Sequence, residues 1–305
     1  MTRAGFAAII GAPNAGKSTL VNRLVGSKVT IVTQKVQTTR FPIRGVAVEG
    51  DSQIILVDTP GIFKPRRRLD RAMVRSAEEQ AEGADVVVHI VDAHAEESAK
   101  PGDRKSAEDA AMITESYKAA GKQAILALNK VDLVKRDNLL ALTQRLFDTG
   151  VYTEVFMISA QTGSGVEDLK ARLAELMPES EWLFPEDQTA DLPVRLLAAE
   201  ITREKLYLRV HDELPYSATV ETTAFEERRD GSARIEQTIF VERESQRPII
   251  LGKGGQTVKW IGEAARKDLS EILDRPVHLF LTVKVRETWQ EERGFYSDVG
   301  LDYDA

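Results

Sequence analysis

The chain contains no cysteine, so disulfides and thiolate metal sites are excluded, and the composition suits a reducing compartment. Histidine is scarce as well. His89, His94, His211 and His278 are scattered without the spacing that metal ligands require. No window reaches the roughly eighteen consecutive apolar residues of a membrane-spanning helix. The apolar stretch Phe6 to Ile10 runs into Gly11-Ala12-Pro13-Asn14 and shows no secretory cleavage pattern. These absences together point to a cytoplasmic protein. Positive charge is not in excess either. A net charge of -7 argues against indiscriminate nucleic-acid binding over the whole surface, so any such contact must be local.

What is present is a chain of 305 residues, long enough to favour two domains with separate cores. A hydrophobic content of 42% and a charged content of 29% are those of an ordinary globular protein. In the first half, short apolar runs alternate with amphipathic segments. Phe6–Ile10, Ile54–Val57, Val86–Val91, Ala124–Leu128 and Val155–Ile158 are almost continuously apolar, as strands are when helices cover both faces of a parallel sheet. Helices are expected at Ser18–Val25 before Gly26, Glu108–Ala120 before Gly121, and Val166–Met177 before Pro178. Gly11, Asp58, Asn129 and Ser159 each follow directly on an apolar run, where open α/β sheets bind ligands.

Gly11-Ala12-Pro13-Asn14-Ala15-Gly16-Lys17-Ser18, followed by Thr19, matches the phosphate-loop pattern of glycine, four residues, then Gly-Lys-Ser/Thr. In such a loop backbone N–H groups close around phosphate oxygens, Lys17 reaches the β and γ phosphates, and the Ser18 hydroxyl ligates Mg²⁺. Asp58-Thr59-Pro60-Gly61 ends the second apolar run, where a carboxylate can hold Mg²⁺ through water and the Gly61 N–H can meet a γ phosphate. Asn129-Lys130-Val131-Asp132 selects the base. A carboxylate at Asp132 can accept from the N1–H and the exocyclic amine of guanine, donors that adenine does not present there. Ser159-Ala160 follows the next run, and a backbone N–H there is expected to face the guanine oxygen.

This order of motifs resembles the Era branch of the translation-factor-like GTPases, and the resemblance covers the whole chain. It implies GTP and GDP as ligands, Mg²⁺ as cofactor, and hydrolysis of GTP as the activity. It also implies a threonine in the loop after the first helix that completes the Mg²⁺ shell; Thr39 is chosen for this role, with Thr38 as the alternative. The implied catalytic set is Lys17, Thr39, Gly61 and Asn14, and the switch loops are Ser27–Arg40 and Thr59–Met73. Ile62 stands where Ras-like proteins keep a water-orienting glutamine, so aid must come from elsewhere. Asn14 stands where cation-dependent relatives hold K⁺, which makes K⁺ a candidate second cation.

Beyond an expected linker at 179–192, the pattern changes. A helix is expected at Val194–Leu206, strands at Ala218–Phe225 and Ile235–Val241, a short segment Gln246–Leu251, a long helix, and a last strand. Val258, Ile261, Ala265, Leu269 and Ile272 recur on one helical face, and Val277, Leu279, Leu281, Val283 and Val285 alternate as in a strand. Gly252-Lys253-Gly254-Gly255 lies between the two helices, and in that setting the segment resembles a type II KH domain, whose glycine loop clamps single-stranded nucleic acid. Residues 195–290 carry 16 basic and 16 acidic side chains, yet Arg243–Lys267 holds six basic residues against two acidic ones. Arg247 and Lys259 are therefore added to Gly252–Gly255 as expected RNA contacts.

The expected architecture is thus an α/β GTPase domain with a mostly parallel sheet (1–178), followed by a smaller α+β type II KH domain (193–290) and an acidic, flexible tail (291–305). The Era resemblance implies 16S-type ribosomal RNA near its 3′ end and the small ribosomal subunit as partners, a role in ribosome assembly, a monomeric state, and no DNA. A weak peripheral association with the inner face of the cell membrane is a further candidate. A second functional class remains open at this point: a nucleotide-gated RNA-binding scaffold in which hydrolysis is incidental.

Overall fold

The almost continuous apolar runs fold as strands, buried except for the half-exposed edge strand over residues 152–157, in a computed structural model that describes residues 1–211 and 214–305. The chain divides into two units, Met1–Asp191 with Ser297–Ala305, and Leu192–Tyr296. The first unit runs β1 (Arg3–Ile10), α1 (Lys17–Val25), β2 (Ile43–Glu49), β3 (Ser52–Asp58), α2 (Arg68–Glu82), β4 (Val86–Asp92), α3 (Ala93–Glu97), α4 (Pro101–Ala119), β5 (Ala124–Asn129), α5 (Arg136–Phe147), β6 (Tyr152–Met157), α6 (Val166–Leu176) and β7 (Ala190–Asp191). Its sheet has the order β6-β5-β4-β1-β3-β2-β7. All neighbours are parallel except the pairs β2/β3 and β2/β7. Register sets Ile9 beside Asp58 and Asp92 beside Asn129, so one edge of the sheet gathers the strand ends. Separate apolar clusters fill its two faces, one under α1 and α6 and the other under α2, α4 and α5.

Several elements of this unit went unread in the sequence, β2, α2 and α5 among them. β2 interleaves Arg44 and Gly45 with its apolar residues, as suits an antiparallel strand near the sheet edge. α2 opens among arginines that obscure the inward stripe of Leu69, Ala72, Met73, Ala77 and Ala81. α5 buries only Leu139 and Leu142, too few to show a period. The helix expected from Glu108 starts earlier, with Pro101 in its first turn, a position where the missing N–H leaves no bond unmade. The expected linker is not free chain. Gln53 accepts from the N–H groups of Leu183 and Phe184 and donates to the Phe184 carbonyl, and β7 adds an edge strand to β2.

The second unit runs α7 (Val194–Arg209), β8 (Ala218–Glu227), β9 (Ala233–Val241), α8 (Arg247–Leu251), α9 (Gln256–Ile272) and β10 (Val277–Val285), with α10 (Arg293–Asp298) after it. The order helix, strand, strand, helix, helix, strand is the one expected. Its sheet is β10-β9-β8, antiparallel between β8 and β9 and parallel between β9 and β10. Leu206, Ile239, Val241, Ile250, Ile261 and Val283 join α7, α8 and α9 to one face of it. Periodicity gave no sign that α7 also buries charge: Arg203 is bonded to both oxygens of Glu200, and Lys205 pairs with Glu204 and Asp268.

The tail, expected to be flexible, is packed. Trp289 and Tyr296 are fully buried and Leu301 nearly so, because three rings stack edge to face: Trp289 on Phe295 at 4.9 Å and Phe295 on Tyr296 at 5.6 Å. The Trp289 indole N–H donates to the Ser217 carbonyl, so its one polar atom is satisfied. Trp289→Ala should remove about 3–5 kcal/mol of stability from the second unit. Hydrogen exchange checks this: protection should fall in α7 and β8–β10 and persist in β1, β3 and β4.

Candidate functional site

The backbone of the Gly11–Lys17 loop is wound by positive φ at Asn14 (62°) and at Gly16 (107°). At Gly16 a Cβ would come within 2.2 Å of the Asn129 amide nitrogen, so the loop can lie against β5 only without a side chain there. The loop ends at the N-terminus of α1, where unpaired backbone N–H groups and the helix dipole favour an anion. Lys17 is buried, and its ammonium donates to the carbonyls of Gly11 (3.0 Å) and Ala12 (2.8 Å). Burial lowers its pKa to about 8, opposed by the nearby Asp58 charge.

Asp58, at the end of β3, is the centre of an oxygen cluster. Its Oδ2 accepts from Ser18 (2.7 Å), Thr30 (2.7 Å) and Thr39 (3.2 Å), and the Ser18 and Thr39 hydroxyls lie 3.0 Å apart. Its Oδ1 is buried with no hydrogen-bond partner. Burial pushes the Asp58 carboxyl up, against the hydroxyl bonds and the Lys17 charge. Hard oxygen donors converging beside an unsatisfied carboxylate oxygen are the donor set of a divalent cation such as Mg²⁺, and these residues fit one. Thr39 is the threonine brought to this point. The Thr38 hydroxyl turns instead to the Lys35 carbonyl and Thr33.

Asn129 ties three loops together. Its amide donates to the Ala15 carbonyl (2.8 Å) and accepts from the Ala160 N–H (2.9 Å), while Lys130 donates to the Asn14 carbonyl and to Asp92 (2.5 Å). The Val131 N–H reaches the Ile158 carbonyl, and Asp132 lies exposed in the following turn. Neither expected N–H at Ser159-Ala160 is left over for a base oxygen. Ser159 donates to the Ser164 carbonyl and Ala160 to Asn129, because the loop closes on itself and on β5. Two other expected contacts are inward-facing: the Thr59 hydroxyl donates to the Ile9 carbonyl, and Ile62 sits in the core with Ala8, Ile10 and Ala77. Only the Ile62 N–H touches the loop, at the Gly11 carbonyl. Pro60 and Gly61 are buried between these two, and Thr19 lies part-buried in the first turn of α1.

Thr30 and Asp92 were missed. Nothing marks Thr30 in the sequence, since its loop is closed by Asn22, which accepts from the Val29 and Thr30 N–H groups and donates to the Thr30 carbonyl. Asp92 was legible, because it ends the apolar run Val86–Val91 just as Asp58 ends its own.

In the second unit, Gly252–Gly255 joins α8 to α9. Gly254 has φ 61°, and the space where a Cβ would stand is open. Lys253 and Arg247 are exposed, and the Lys259 side chain is 75% exposed. Ile249 and Trp260 flank the loop as exposed apolar residues that the sequence reading passed over, with Arg209 stacked on the Trp260 ring at 5.4 Å. An exposed ring beside a cationic rim can stack a nucleic-acid base.

Residues 6–130 match the family described as 50S ribosome-binding GTPase, and residues 213–290 match the KH domain family. The chain is 71% identical over 309 aligned residues to GTPase Era of Caulobacter vibrioides (strain NA1000 / CB15N), covering all of this chain and 98% of that one. It is 61% identical to GTPase Era of Maricaulis maris (strain MCS10), covering 99% of this chain and 98% of that one. A crystal structure of Era in complex with MgGDPNP and nucleotides 1506–1542 of 16S ribosomal RNA superposes with a TM-score of 0.87 at 38% identity, covering 98% of this chain and 99% of that one. With the phosphate loop, the Asp58 cluster and the glycine loop all in place across matches of this length, the chain belongs to the Era family of GTPases.

Proposed function

We propose that this chain is a cytoplasmic, monomeric switch that binds the 16S-type ribosomal RNA of the small subunit near its 3′ end through its second unit, and acts in assembly of that subunit. GTP hydrolysis is the family's activity. The observation that carries the switch is the meeting of Ser18 from α1, Thr39 from the following loop and Asp58 from β3 within hydrogen-bond distance of one another. Ser18 and Thr39 would ligate Mg²⁺ directly and Asp58 through water; the ion, when bound, neutralises charge on the β and γ phosphates. Lys17 and the Gly61 N–H serve the same phosphates, and release of the γ phosphate frees Thr39 and its loop. The RNA assignment is supported by the exposed glycine loop with its cationic rim, and by the RNA bound in the related Era complex. Among the described residues no helix is long and apolar enough to cross a membrane.

Since both N–H groups at Ser159-Ala160 have protein acceptors, base choice rests on the Asp132 carboxylate. Asp132→Asn should weaken GTP by about 3 kcal/mol and strengthen xanthosine triphosphate. Competition binding with the two nucleotides measures this, and unchanged GTP affinity would refute the assignment.

Ile62 is buried in the core and supplies no group for positioning water. Asn14 is exposed, in left-handed backbone, and spends its amide N–H on the Gln34 carbonyl, so its Oδ1 is the atom suited to a monovalent cation. Hydrolysis should run about tenfold faster in K⁺ than in Na⁺ at equal ionic strength. Asn14→Ala should erase the difference; equal rates in the two salts for the parent would defeat the idea.

Gly254→Asp places bulk and negative charge where a nucleic-acid backbone would approach the loop, so it should abolish binding of single-stranded 16S RNA fragments while RNA-free hydrolysis persists. Lys253→Ala should act more mildly and reduce the salt dependence of binding by about one unit. Fluorescence anisotropy across a salt series reads both, and full RNA affinity in folded Gly254→Asp protein would leave the KH fold without its expected role.

A further inference from the structure

The most basic stretch of the first unit overlaps the expected switch loop Thr59–Met73 and runs on along α2. Lys64–Arg75 carries six cationic side chains and one acid, in a chain of net charge -7. That acid, Asp70, faces inward. One oxygen accepts from the N–H groups of Arg66 and Arg67 (3.0 Å each), and the other accepts from Gln37 (2.7 Å), two residues before Thr39. The cations are left on the surface. Lys64, Arg66 and Arg67 are exposed and make no ion pair among the described residues.

Arg68, Arg71 and Arg75 line one face of α2 at helical spacing, and the segment Ser297–Ala305 lies along it. This segment contains three aspartates and no cation. Arg75 pairs with Asp302 at 3.0 Å, Arg71 donates to the Ala305 backbone oxygen at 3.3 Å, and Arg68 donates to the Tyr303 carbonyl at 3.1 Å. The Arg68 guanidinium also lies over the Tyr303 ring, 4.3 Å from its centroid. A ring stacked on a guanidinium, with anionic and carbonyl oxygens spaced along an arginine row, reproduces what single-stranded RNA offers such a row: a stacked base flanked by phosphate oxygens.

We propose that the arginine face of α2 is a second RNA-backbone site, and that Ser297–Ala305 covers it as an intramolecular stand-in for that RNA. The proposal rests on the chain being an RNA binder. Its contacts on the covering segment are surface ones: the Arg75 and Asp302 side chains are 52% and 42% exposed, so the pair is screened and exchangeable. RNA that displaces the segment engages the same helix that Asp70 joins to Gln37, which ties occupancy of this face to the loop carrying Thr39.

The test uses the full chain, loaded with GDP, in a Gly254→Asp background that silences the glycine loop. Asp302→Asn with Tyr303→Ala loosens the segment while Leu301 keeps its buried place. Binding of a short fluorescein-labelled oligouridylate should tighten about tenfold if the parent face is open one-tenth of the time. Its salt dependence should steepen by about two units as Arg68 and Arg75 are released. Adding Arg71→Glu and Arg75→Glu should cancel the gain. No gain on loosening the segment, a gain that survives the two arginine reversals, or capture by phosphatidylserine vesicles with no gain for the oligonucleotide would each overturn the proposal. Failure of the glycine-loop assignment is read separately, from Gly254→Asp against the parent chain. The effect of the segment is read only as a difference within one background.

Discussion

A buried carboxylate must be met by donors on all its lone pairs or by a cation, and Asp58 is met on one side only. Three hydroxyls converge on Oδ2, from α1 and from two points of the loop that follows it, while Oδ1 has nothing. The fold is arranged to produce this imbalance. Parallel pairing of β1 with β3 sets Asp58 beside Ile9, at the level where the chain leaves β1 to form the phosphate loop. Thr30 and Thr39 then anchor both ends of one loop on a single atom. A change in charge at that atom would act on α1 and on both ends of the loop together, the coupling that the proposed switch uses.

The base side of the site is built on the opposite plan. Asn129, Lys130 and Asp92 are bonded to one another's loops through amide and ammonium groups whose partners are all protein. Asp132 alone of the four residues Asn129–Asp132 is exposed, and its side chain makes no hydrogen bond among the described residues. One half of the site is thus tied by bonds between protein groups, and the other gathers the hydroxyls of two elements on one carboxylate.

What could be read from the sequence was whatever local chemistry compels. Strands covered on both faces are continuously apolar, phosphate loops need their glycines and lysine, and the GxxG turn sits between two helices with clear periodicity. Elements whose identity depends on distant partners were silent. β2 is a strand because β3 and β7 flank it, and Thr30 is a site residue because Asn22 folds its loop back. The tail is ordered because Trp289 finds the Ser217 carbonyl and Phe295 lies against its ring. The bonds of the Ser159 and Ala160 N–H groups were silent for the same reason: the acceptors they take lie in the surrounding loops.

The short strand β7 has a consequence for where the first unit ends as a self-sufficient body. With the Thr189 carbonyl accepting from Val46, and Ala190 and Asp191 paired to Gly45 and Arg44, it caps the outer edge of β2. A chain stopped at residue 178 would keep every nucleotide-site residue and the whole parallel sheet. It would also bare the backbone of Arg44, Gly45 and Val46 on an open edge, the kind of surface that recruits a strand from a neighbouring molecule. The last residues of the first unit thus belong to its sheet as an edge cap, a place that a free tether would not take.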